Sequence, residues 1–233
     1  MASLDSVRTR KYLETGMVIQ AGTDGPVAIR LRKLGSESAT SVTVTTATNI
    51  VLVGSTTTDT ITFAANTTYG AVTDAINATG RWEAKILDGL RSKASASTLL
   101  DGAISSTTDA NGVVIWDVKQ DTSTSLQIAV TLSPHRDFDA PKGHRVHLQQ
   151  IVYAVNMGTA AVDSVQVFRR RGTVETQLFG QLSVDTTETT ITFASGYGKI
   201  SGANEDEIIV LVKDAATLAD ATSNFVRAVG IIE

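Results

Sequence analysis

Residues Ser41–Leu87 read S-V-T-V-T-T-A-T-N-I-V-L-V-G-S-T-T-T-D-T-I-T-F-A-A-N-T-T-Y-G-A-V-T-D-A-I-N-A-T-G-R-W-E-A-K-I-L, and they decide the expected fold. Their first half contains three β-prone segments, one with Val42 and Val44, then Ile50–Val53 and Thr60–Phe63, and a turn that opens with Gly54 and Ser55 separates the last two. Threonine is branched at Cβ and favours pleated, half-exposed surfaces, so the many threonines strengthen the strand prediction. This part of the chain is therefore predicted to form a β hairpin.

A short helix is predicted directly after the hairpin. The run Asn66–Thr68 offers an N-cap. Apolar residues then follow at i, i+3 and i+7, the spacing of one buried helix face: Tyr69, Val72 and Ile76. Gly80 is expected to end the helix, as a glycine after the last periodic residue commonly does. In Trp82–Ile86 every second residue is apolar, which predicts a strand with one buried face.

The composition fits a folded protein and argues against several functions. Of the 233 residues, 42% are hydrophobic and 19% are charged, which is enough for one large or two modest cores. A net charge of −4 gives no basic face for nucleic acid. The absence of cysteine excludes disulfides and thiolate chemistry. No apolar run approaches the ~18 residues of a membrane span, and the N-terminus lacks a signal peptide. We therefore expect synthesis in the cytoplasm, with neither a membrane nor a nucleic-acid partner.

Residues 1–38 are predicted to form an N-terminal arm and lead-in strands. In Val27–Arg32 the apolar residues face one way and the arginines form an exposed cationic face. The residues before Val18 are polar, so they either fray in solvent or form an extended arm that becomes ordered on a neighbouring subunit. The candidate partner contacts of this region are Arg8, Arg10 and Lys11 of the arm and Arg30 and Arg32 of the strand.

Two domains are predicted to follow. Residues 39–134 form a small β domain with one packed helix, in which Ser92–Leu100 is either a short helix or a loop, and Val113–Val118 and Leu126–Leu132 are further strands. Residues 135–143 form a linker, since Pro134–Gly143 holds two of the three prolines. Residues 144–233 form a β sandwich of jelly-roll type.

The jelly-roll prediction depends on strand spacing. Short apolar segments recur about every ten residues after the linker, as is typical of a sandwich. The predicted strands are His147–Val155, Ser164–Arg170, Val174–Val184, Thr189–Ala194, Glu207–Val212 and Phe225–Ile232. The whole chain is thus predicted to be mainly β.

Two groups of residues resemble metal sites. The first group consists of His135, His144 and His147 with Asp137 and Asp139 between them. His144 and His147 stand three apart at a strand entrance and would face opposite sides, so we interpret the group as polar linker residues. The loop carboxylates of Asp101 and Asp109 do not follow the calcium-loop pattern and are explained better by turns. No metal and no cofactor is predicted.

The densest basic run is Arg169, Arg170 and Arg171. Side chains alternate between the faces of a strand, so these arginines do not form a single nucleic-acid stripe. They are candidate contacts for an acidic partner surface or for Glu175 nearby, and otherwise form a charged strand end. The chain contains no nucleophile elbow, phosphate loop or dinucleotide fingerprint, and we predict that it is not an enzyme.

The segment Ile61–Ile86 resembles a strand–helix–strand module found in flagellar hook-associated proteins and in tailed-phage virion proteins. The matching positions are Phe63, Thr68, Val72, Ile76, Asn77, Trp82 and Ala84. The segment His144–Val162 is similar in style to phage head accessory or fibre domains. Axial flagellar proteins are built on long terminal helices with heptad patterns, which this chain lacks, so the phage resemblance is preferred.

This resemblance implies a non-enzymatic structural protein located in a tailed-phage virion. A capsid decoration or cement protein, which stabilises the head through contacts between subunits, is favoured. The alternative is a tail, collar or fibre component, with or without a receptor- or glycan-binding C-terminal domain. The implied partners are the major capsid protein or other virion proteins and further copies of the chain. A trimer is favoured because phage accessory proteins of this kind are commonly trimers.

Overall fold

Nearly all regular structure in the described chain is β, which confirms the predicted fold class. The computed structural model describes residues 11–19, 25–95, 98–121, 127–133, 136–139, 146–155, 163–183, 189–192, 206–213 and 224–232. The elements are β1 (Lys11–Ile19), β2 (Val27–Lys33), β3 (Ala39–Thr45), β4 (Asn49–Gly54), β5 (Thr58–Thr62), α1 (Tyr69–Ala78), β6 (Trp82–Ile86), β7 (Gly102–Ile104), β8 (Ser106–Thr108), β9 (Val114–Lys119), β10 (Gln127–Leu132), β11 (Val146–Val155), β12 (Asp163–Arg171), β13 (Val174–Ser183), β14 (Thr189–Thr192), β15 (Asp206–Lys213) and β16 (Asn224–Ile232). Within these ranges no helix has the length and apolarity that a bilayer crossing requires.

Eight of the strands form a jelly roll. They are β1 and β10 to β16, and they pair as two antiparallel sheets of order β1-β16-β11-β14 and β10-β15-β12-β13. Numbered one to eight along the chain, these orders are one-eight-three-six and two-seven-four-five, the arrangement that two interlocking Greek keys produce. The sheets pack face to face, with β10 against β1 and β16. The predicted jelly-roll sandwich is therefore confirmed.

The remaining strands and the helix form a β domain that is inserted between the first two strands of the jelly roll. Its two sheets have the orders β6-β2-β9-β8 and β5-β4-β3-β7. The chain enters and leaves this domain at adjacent points. Val27 pairs with Lys119, and the amide of Gln120 donates to the carbonyl of Pro26 at 2.8 Å. Adjacent chain ends allow a folded unit to interrupt a host domain without disturbing it.

Helix α1 lies where the sequence predicts it. The hydroxyl of Thr68 accepts a hydrogen bond from the amide of Ala71 at 3.2 Å, which confirms the N-cap. The chain leaves the helix at Gly80, whose φ of +66° is the left-handed conformation expected of a terminating glycine. The buried side chains of the inserted domain include Ile29, Leu31, Val42, Ile50, Leu52, Phe63, Tyr69, Val72, Ile76, Trp82 and Val118.

The helix is tied to the strand that follows it. The side chain of Asn77 accepts a hydrogen bond from the amide of Ala84 at 2.7 Å and donates to the carbonyl of the same residue at 3.1 Å. The rings of Trp82 and Trp116 meet edge to face, with 5.7 Å between their centroids. This strand–helix–strand unit therefore packs as one block, and Trp82, Ala84 and Ile86 form the buried face that their alternation predicts.

Sheet membership differs from the predicted domain limits in three places. Strands β1 and β2 both fall in the predicted lead-in, but β1 pairs with β16, and β2 pairs with β6 and β9. Strand β10, which the sequence places in the first β domain, pairs with β15. Alternation in the sequence shows which residues of a strand face inwards, but it does not show which distant strand is its neighbour. Pairing alone does not show which residues fold independently, so the limits at 38 and 134 stay predictions.

Three smaller expectations can also be compared with the structure. Lys11, expected in the arm, opens strand β1, whereas Arg8 and Arg10 lie outside the described residues. The described part of Ser92–Leu100 contains turns and isolated bridges, as the loop alternative expects. Strands β7 and β8 are not predicted by the sequence, because each has only three residues and neither shows an apolar alternation.

The conformation of Gly80 gives a first test of the fold. A Cβ at this position would meet no atom within 4 Å, so replacement by alanine adds only backbone strain. We expect Gly80→Ala to lower the free energy of unfolding by about 1 kcal/mol. Gly80→Asn should lose less than half of that amount, because asparagine tolerates the left-handed region. Urea unfolding followed by circular dichroism measures both values, and an alanine variant as stable as the wild type would contradict this role.

Candidate functional site

Arg30 and Arg32, which the sequence predicts as exposed partner contacts, lie in ion pairs within the chain. Arg30 donates to both carboxylate oxygens of Asp117, at 2.7 and 2.8 Å, and to Asp137 at 2.6 Å. Arg32 donates to Glu83 and to Asp139, each at 2.6 Å. Only 13% and 18% of the two arginine side chains is exposed. The expected exposure is therefore wrong, because the cationic face of β2 is covered by residues of the chain itself.

The covering segment is residues 136–139, in the middle of the predicted linker. The ring of Phe138 is buried between two cations, with the Arg32 guanidinium 4.6 Å and the Lys85 ammonium 4.4 Å from its centroid. Its carbonyl accepts from Asn111 at 2.7 Å, and its amide donates to Asp109 at 3.1 Å. The sequence contained a signal for this contact. In D-F-D two carboxylates flank an aromatic ring, and both kinds of group bind cations such as the alternating arginines of β2.

The strongest contacts between the inserted domain and the jelly roll centre on Arg170. Its side chain is only 5% exposed. It donates to three carbonyl oxygens of the segment after β6, those of Ile86 at 2.8 Å, Leu87 at 3.3 Å and Gly89 at 3.0 Å. Its Nε donates to Glu207 on the neighbouring strand β15 at 2.6 Å. Arg170 thus binds the inserted domain to the jelly roll within one chain, and its side chain is not exposed for contact with a partner protein.

Glu175 extends this contact on the other side of Arg170. It is the register partner of Arg170 on β13, with 3.5 Å between the charged groups, as the sequence suggests. Its carboxylate also accepts the amide of Arg91, at 2.9 and 3.0 Å. Charge-assisted hydrogen bonds to a backbone amide are stronger than neutral ones, so both ends of residues 86–91 are held by charged side chains of the jelly roll.

A second ion pair fixes the middle of the same segment. The buried carboxylate of Asp88 accepts from Arg136 at 2.7 and 2.8 Å and from the amide of Thr131 at 2.9 Å. The hydroxyl of Thr131 donates to the carbonyl of Leu87 at 2.6 Å. We use the name seam for residues 86–91 together with the side chains that bind them and their neighbour Glu207, namely Arg170, Glu175, Arg136 and Thr131. The sequence gives no signal for Asp88, because a lone aspartate after a strand is also typical of an exposed turn.

The flanking arginines differ from Arg170. Arg171 donates to Asp206 at 2.6 and 2.7 Å and is half exposed, and this hydrogen bond holds the pKa of Asp206 below its usual range. The side chain of Arg169 makes no hydrogen bond to a residue that the structure describes. For Arg169 and Arg171, contact with a partner protein stays a prediction.

A cleft of about 240 Å³ opens beside the seam, between α1 and the turn that joins β12 to β13. Its charged lining includes Asp74, Lys85, Arg91, Arg170 and Glu207. Burial, together with the charge of Arg30, lowers the pKa of Lys85 to about 8. Arg91 donates to Asp74 at 2.6 Å across the cleft. The lining charges thus balance one another to within one unit, and the cleft belongs to the polar packing of the seam.

The outer face of sheet β5-β4-β3-β7 is a different kind of surface. Strand register places Thr43, Val51 and Thr60 in one row across it, and Thr45, Asn49 and Thr62 in the next. Ser41, Val53 and Thr58 form a third row, and Ala103 adjoins Thr43. None of these side chains is charged, and Thr45, Thr58, Thr60 and Thr62 are exposed. We call this surface the threonine face.

The carboxylate of Asp109 serves its own turn, as the sequence predicts, whereas that of Asp101 binds the distant turn between β3 and β4. Asp109 accepts the amides of Asn111 and Val113, each at 2.9 Å, and Asp101 accepts the amide of Thr46 at 2.7 Å. His135 and His144 lie outside the described residues, and His147 lies in β11. The residues that the structure does describe contain no group of three potential metal ligands.

Comparisons with known proteins give little further information. No protein-family model and no curated protein matches the chain. Among solved structures, the chain is similar to the VP2 subviral particle of infectious bursal disease virus, with 8% identity and a TM-score of 0.20. That match covers 96% of this chain and 71% of the other. A TM-score of 0.20 establishes neither a common fold nor a common function.

Replacement of Arg170 tests the seam. Arg170→Met would leave the carbonyls of Ile86 and Gly89 and the carboxylate of Glu207 without their buried donor. We expect a loss of about 3–5 kcal/mol in the free energy of unfolding, the usual result of removing one partner from a buried ion pair. Arg169→Met is the matched control, one residue away on the same strand, and should change stability by less than about 0.5 kcal/mol. Equal losses in urea unfolding of the two variants would contradict the role assigned to Arg170.

The buried Lys93 gives the protein a pH-dependent stability. Its ammonium donates to Gln120 at 2.5 Å, and burial lowers its pKa to about 8. An unfolded lysine has a pKa of about 10.4, so between these values the unfolded chain binds more protons and the free energy of unfolding rises with pH. We expect the wild type to gain on the order of 2 kcal/mol more than Lys93→Met between pH 7.5 and 10. Urea titrations across this range decide the point, and parallel pH profiles would contradict it.

Proposed function

We propose that this protein is a non-enzymatic structural component of a virus particle, and specifically a capsid decoration or cement protein of a tailed phage. One observation carries the proposal. An eight-stranded jelly roll is interrupted by an inserted β domain whose outer sheet face has no charged side chain. Jelly rolls occur in viral shells and also in lectins, and a fold alone does not define a function. The chemistry of the inserted domain's surface therefore supports the choice.

The threonine face has the composition of a protein contact. Interface centres are depleted of charged residues, because a charge that is desolvated without a partner costs free energy. Threonine hydroxyls can exchange water for hydrogen bonds to a partner, and their methyl groups bury apolar area. Strand β5 at the edge of this sheet pairs only with β4 in the described structure, so its outer backbone groups could bind a partner strand.

The seam allows such a contact to act on the whole protein. Residues 86–91 are bound by Arg170 and Glu175 of the jelly roll and by Arg136 of the segment that follows β10, so the inserted domain is fixed to the jelly roll by directional bonds. Arginine bonds of this kind define one geometry, since the guanidinium donors are planar and fixed in direction. A protein held to a shell through one unit would therefore present the other unit in a defined orientation.

A cement protein acts by mass action. It binds the assembled shell better than the free capsid subunits, so its binding free energy is added to the stability of the shell. Many identical contacts on one particle add up, and each one can be weak. The major capsid protein is the proposed partner, and neither nucleic acid nor a membrane is required.

A tail, collar or fibre component, which could bind a receptor or glycan, is the second candidate. Carbohydrate modules of this kind expose an aromatic platform. Among the side chains that the structure describes, the exposed large apolar ones are aliphatic, namely Val114, Val174 and Leu178. We therefore place the decoration proposal first. A glycan array that binds the intact protein would reverse this order.

Thermal release of the genome tests the decoration proposal. Particles that lack this protein should release DNA at a lower temperature than complete particles, measured by the fluorescence of a DNA dye on heating. Adding the purified wild-type protein back should restore the release temperature. Equal release temperatures with and without the protein would overturn the cement function.

Matched substitutions test the contact surface. Thr43→Lys with Thr60→Lys places two charges in the centre of the threonine face, and this variant should fail to restore thermal stability, because the lysines lose hydration on contact. Thr107→Lys is the control, an exposed threonine on β8, an edge strand of the other sheet of the inserted domain, and should restore it fully. If both variants restore stability equally, the threonine face is not the contact.

A further inference from the structure

Strand β13 is a long strand at the edge of the jelly roll. In the described structure it pairs with β12 and with no other strand. Two of its large apolar side chains are exposed, Val174 by 63% and Leu178 by 47%. Edge strands of this kind present unpaired backbone groups to which another chain can bind, and proteins usually protect them with lysine, proline or free charges.

The one charged residue of β13 is directed away from solvent. The carboxylate of Glu175 is only 12% exposed, since it is bound to the amide of Arg91 and to the guanidinium of Arg170. The strand, V-E-T-Q-L-F-G-Q-L-S, contains no lysine and no proline. Its outer edge therefore has none of the usual charges that would repel a second copy.

Val174–Leu178 form a short palindrome in chemical class about Thr176. They read V-E-T-Q-L. About a two-fold axis at Thr176, Val174 of one copy would lie opposite Leu178 of the other. Glu175 would lie opposite Gln177, and Thr176 opposite itself.

We propose that this protein forms a two-fold symmetric dimer in which β13 pairs antiparallel with β13 of a second copy. An isologous contact requires a surface that is complementary to itself, and the palindrome provides one. Val174 of each copy meets Leu178 of the other, and apolar cross-strand pairs of this kind stabilise antiparallel sheets. The pairing joins two four-stranded sheets into one sheet of eight strands. It is independent of the proposed function, and it differs from the trimer that the phage resemblance favours.

A β-bulge sets the length of the paired region. Phe168 pairs with Gln177 and Val167 pairs with Phe179, so Leu178 has no register partner on β12. A bulge bends its strand and increases the local twist, so the straight part of the edge begins at Val174 and ends at the bulge. The paired segment is therefore short. We expect a dimer that dissociates reversibly on dilution.

Cysteine cross-linking tests this geometry, because the chain has no cysteine of its own. In Thr176→Cys the two thiols would lie opposite each other, and directly opposed Cα atoms are about 4.5–5.5 Å apart, within the range that a disulfide bridges. Mild oxidation with copper phenanthroline should convert most of this variant into a covalent dimer. Thr60→Cys, an exposed threonine on the edge strand β5, is the control and should stay monomeric on a denaturing gel.

The register is tested with a mixture. Val174→Cys and Leu178→Cys, oxidised together, should give the mixed dimer, whereas Val174→Cys alone should cross-link poorly. In the proposed register its two thiols lie four residues apart along the strands, about 13 Å. Cross-linking of Thr60→Cys as fast as Thr176→Cys, or no cross-linking of Thr176→Cys, would overturn the proposal.

Sedimentation velocity on proteins without cysteine supplies the second measurement. The wild type should shift from monomer to dimer with concentration. Thr176→Lys should weaken the dimer at least about tenfold, since two like charges would lie directly opposite each other. Thr107→Lys should leave the dimer unchanged. A wild type that is monomeric at about 100 μM, a range where even weak specific dimers form, or a trimer unaffected by Thr176→Lys, would also overturn the proposal.

Discussion

The buried guanidinium of Arg170 is the constraint on which the arrangement of the two structural units depends. A cation that leaves water must find hydrogen-bond partners, and here it takes three carbonyl oxygens from the inserted domain and carboxylates from the two strands beside it. A register shift of one residue in β12 would turn Arg170 to the opposite face of its sheet and leave those carbonyls unbound. Desolvation offsets much of the energy that such bonds provide. The seam therefore selects one arrangement of the units more than it adds net stability.

Local structure was predictable because it depends on neighbours in the sequence. The N-cap at Thr68, the helix end at Gly80 and the buried face of β6 each follow from the properties of a few consecutive residues. The jelly-roll strands from β10 onwards were found for the same reason, since alternation is a local signal, whereas most of β1 lies in the polar segment that was predicted to be an arm. The neighbour of each strand was not predictable in this way. The pairing of β1 with β16 joins segments at opposite ends of the chain, and no pattern within either segment specifies the other.

The charged candidate contact residues show the same limit, because their position on a strand was predictable and their neighbours were not. Alternation correctly places Arg30 and Arg32 on the face of β2 opposite the core, but it cannot show what lies on that face. Asp117, Glu83 and residues 136–139 cover it, so a pattern that indicates an exposed cationic surface marks an internal ion-pair network. Arg170 differs from its two neighbours in the sequence only through strand register, which decides that its side chain points towards the seam.

The pairing of β1 with β16 also has a consequence for biosynthesis. During translation β1 emerges first, and its partner emerges on the order of 200 residues later, roughly 10–40 s at ribosomal speeds of 5–20 residues per second. The inserted domain needs no strand from outside 27–119, so it can acquire its structure on the ribosome while β1 waits. An unpaired strand in that interval is a target for chaperones or for another nascent chain. The jelly roll can close only after residues 224–232 have left the exit tunnel, and its completion is therefore a late event.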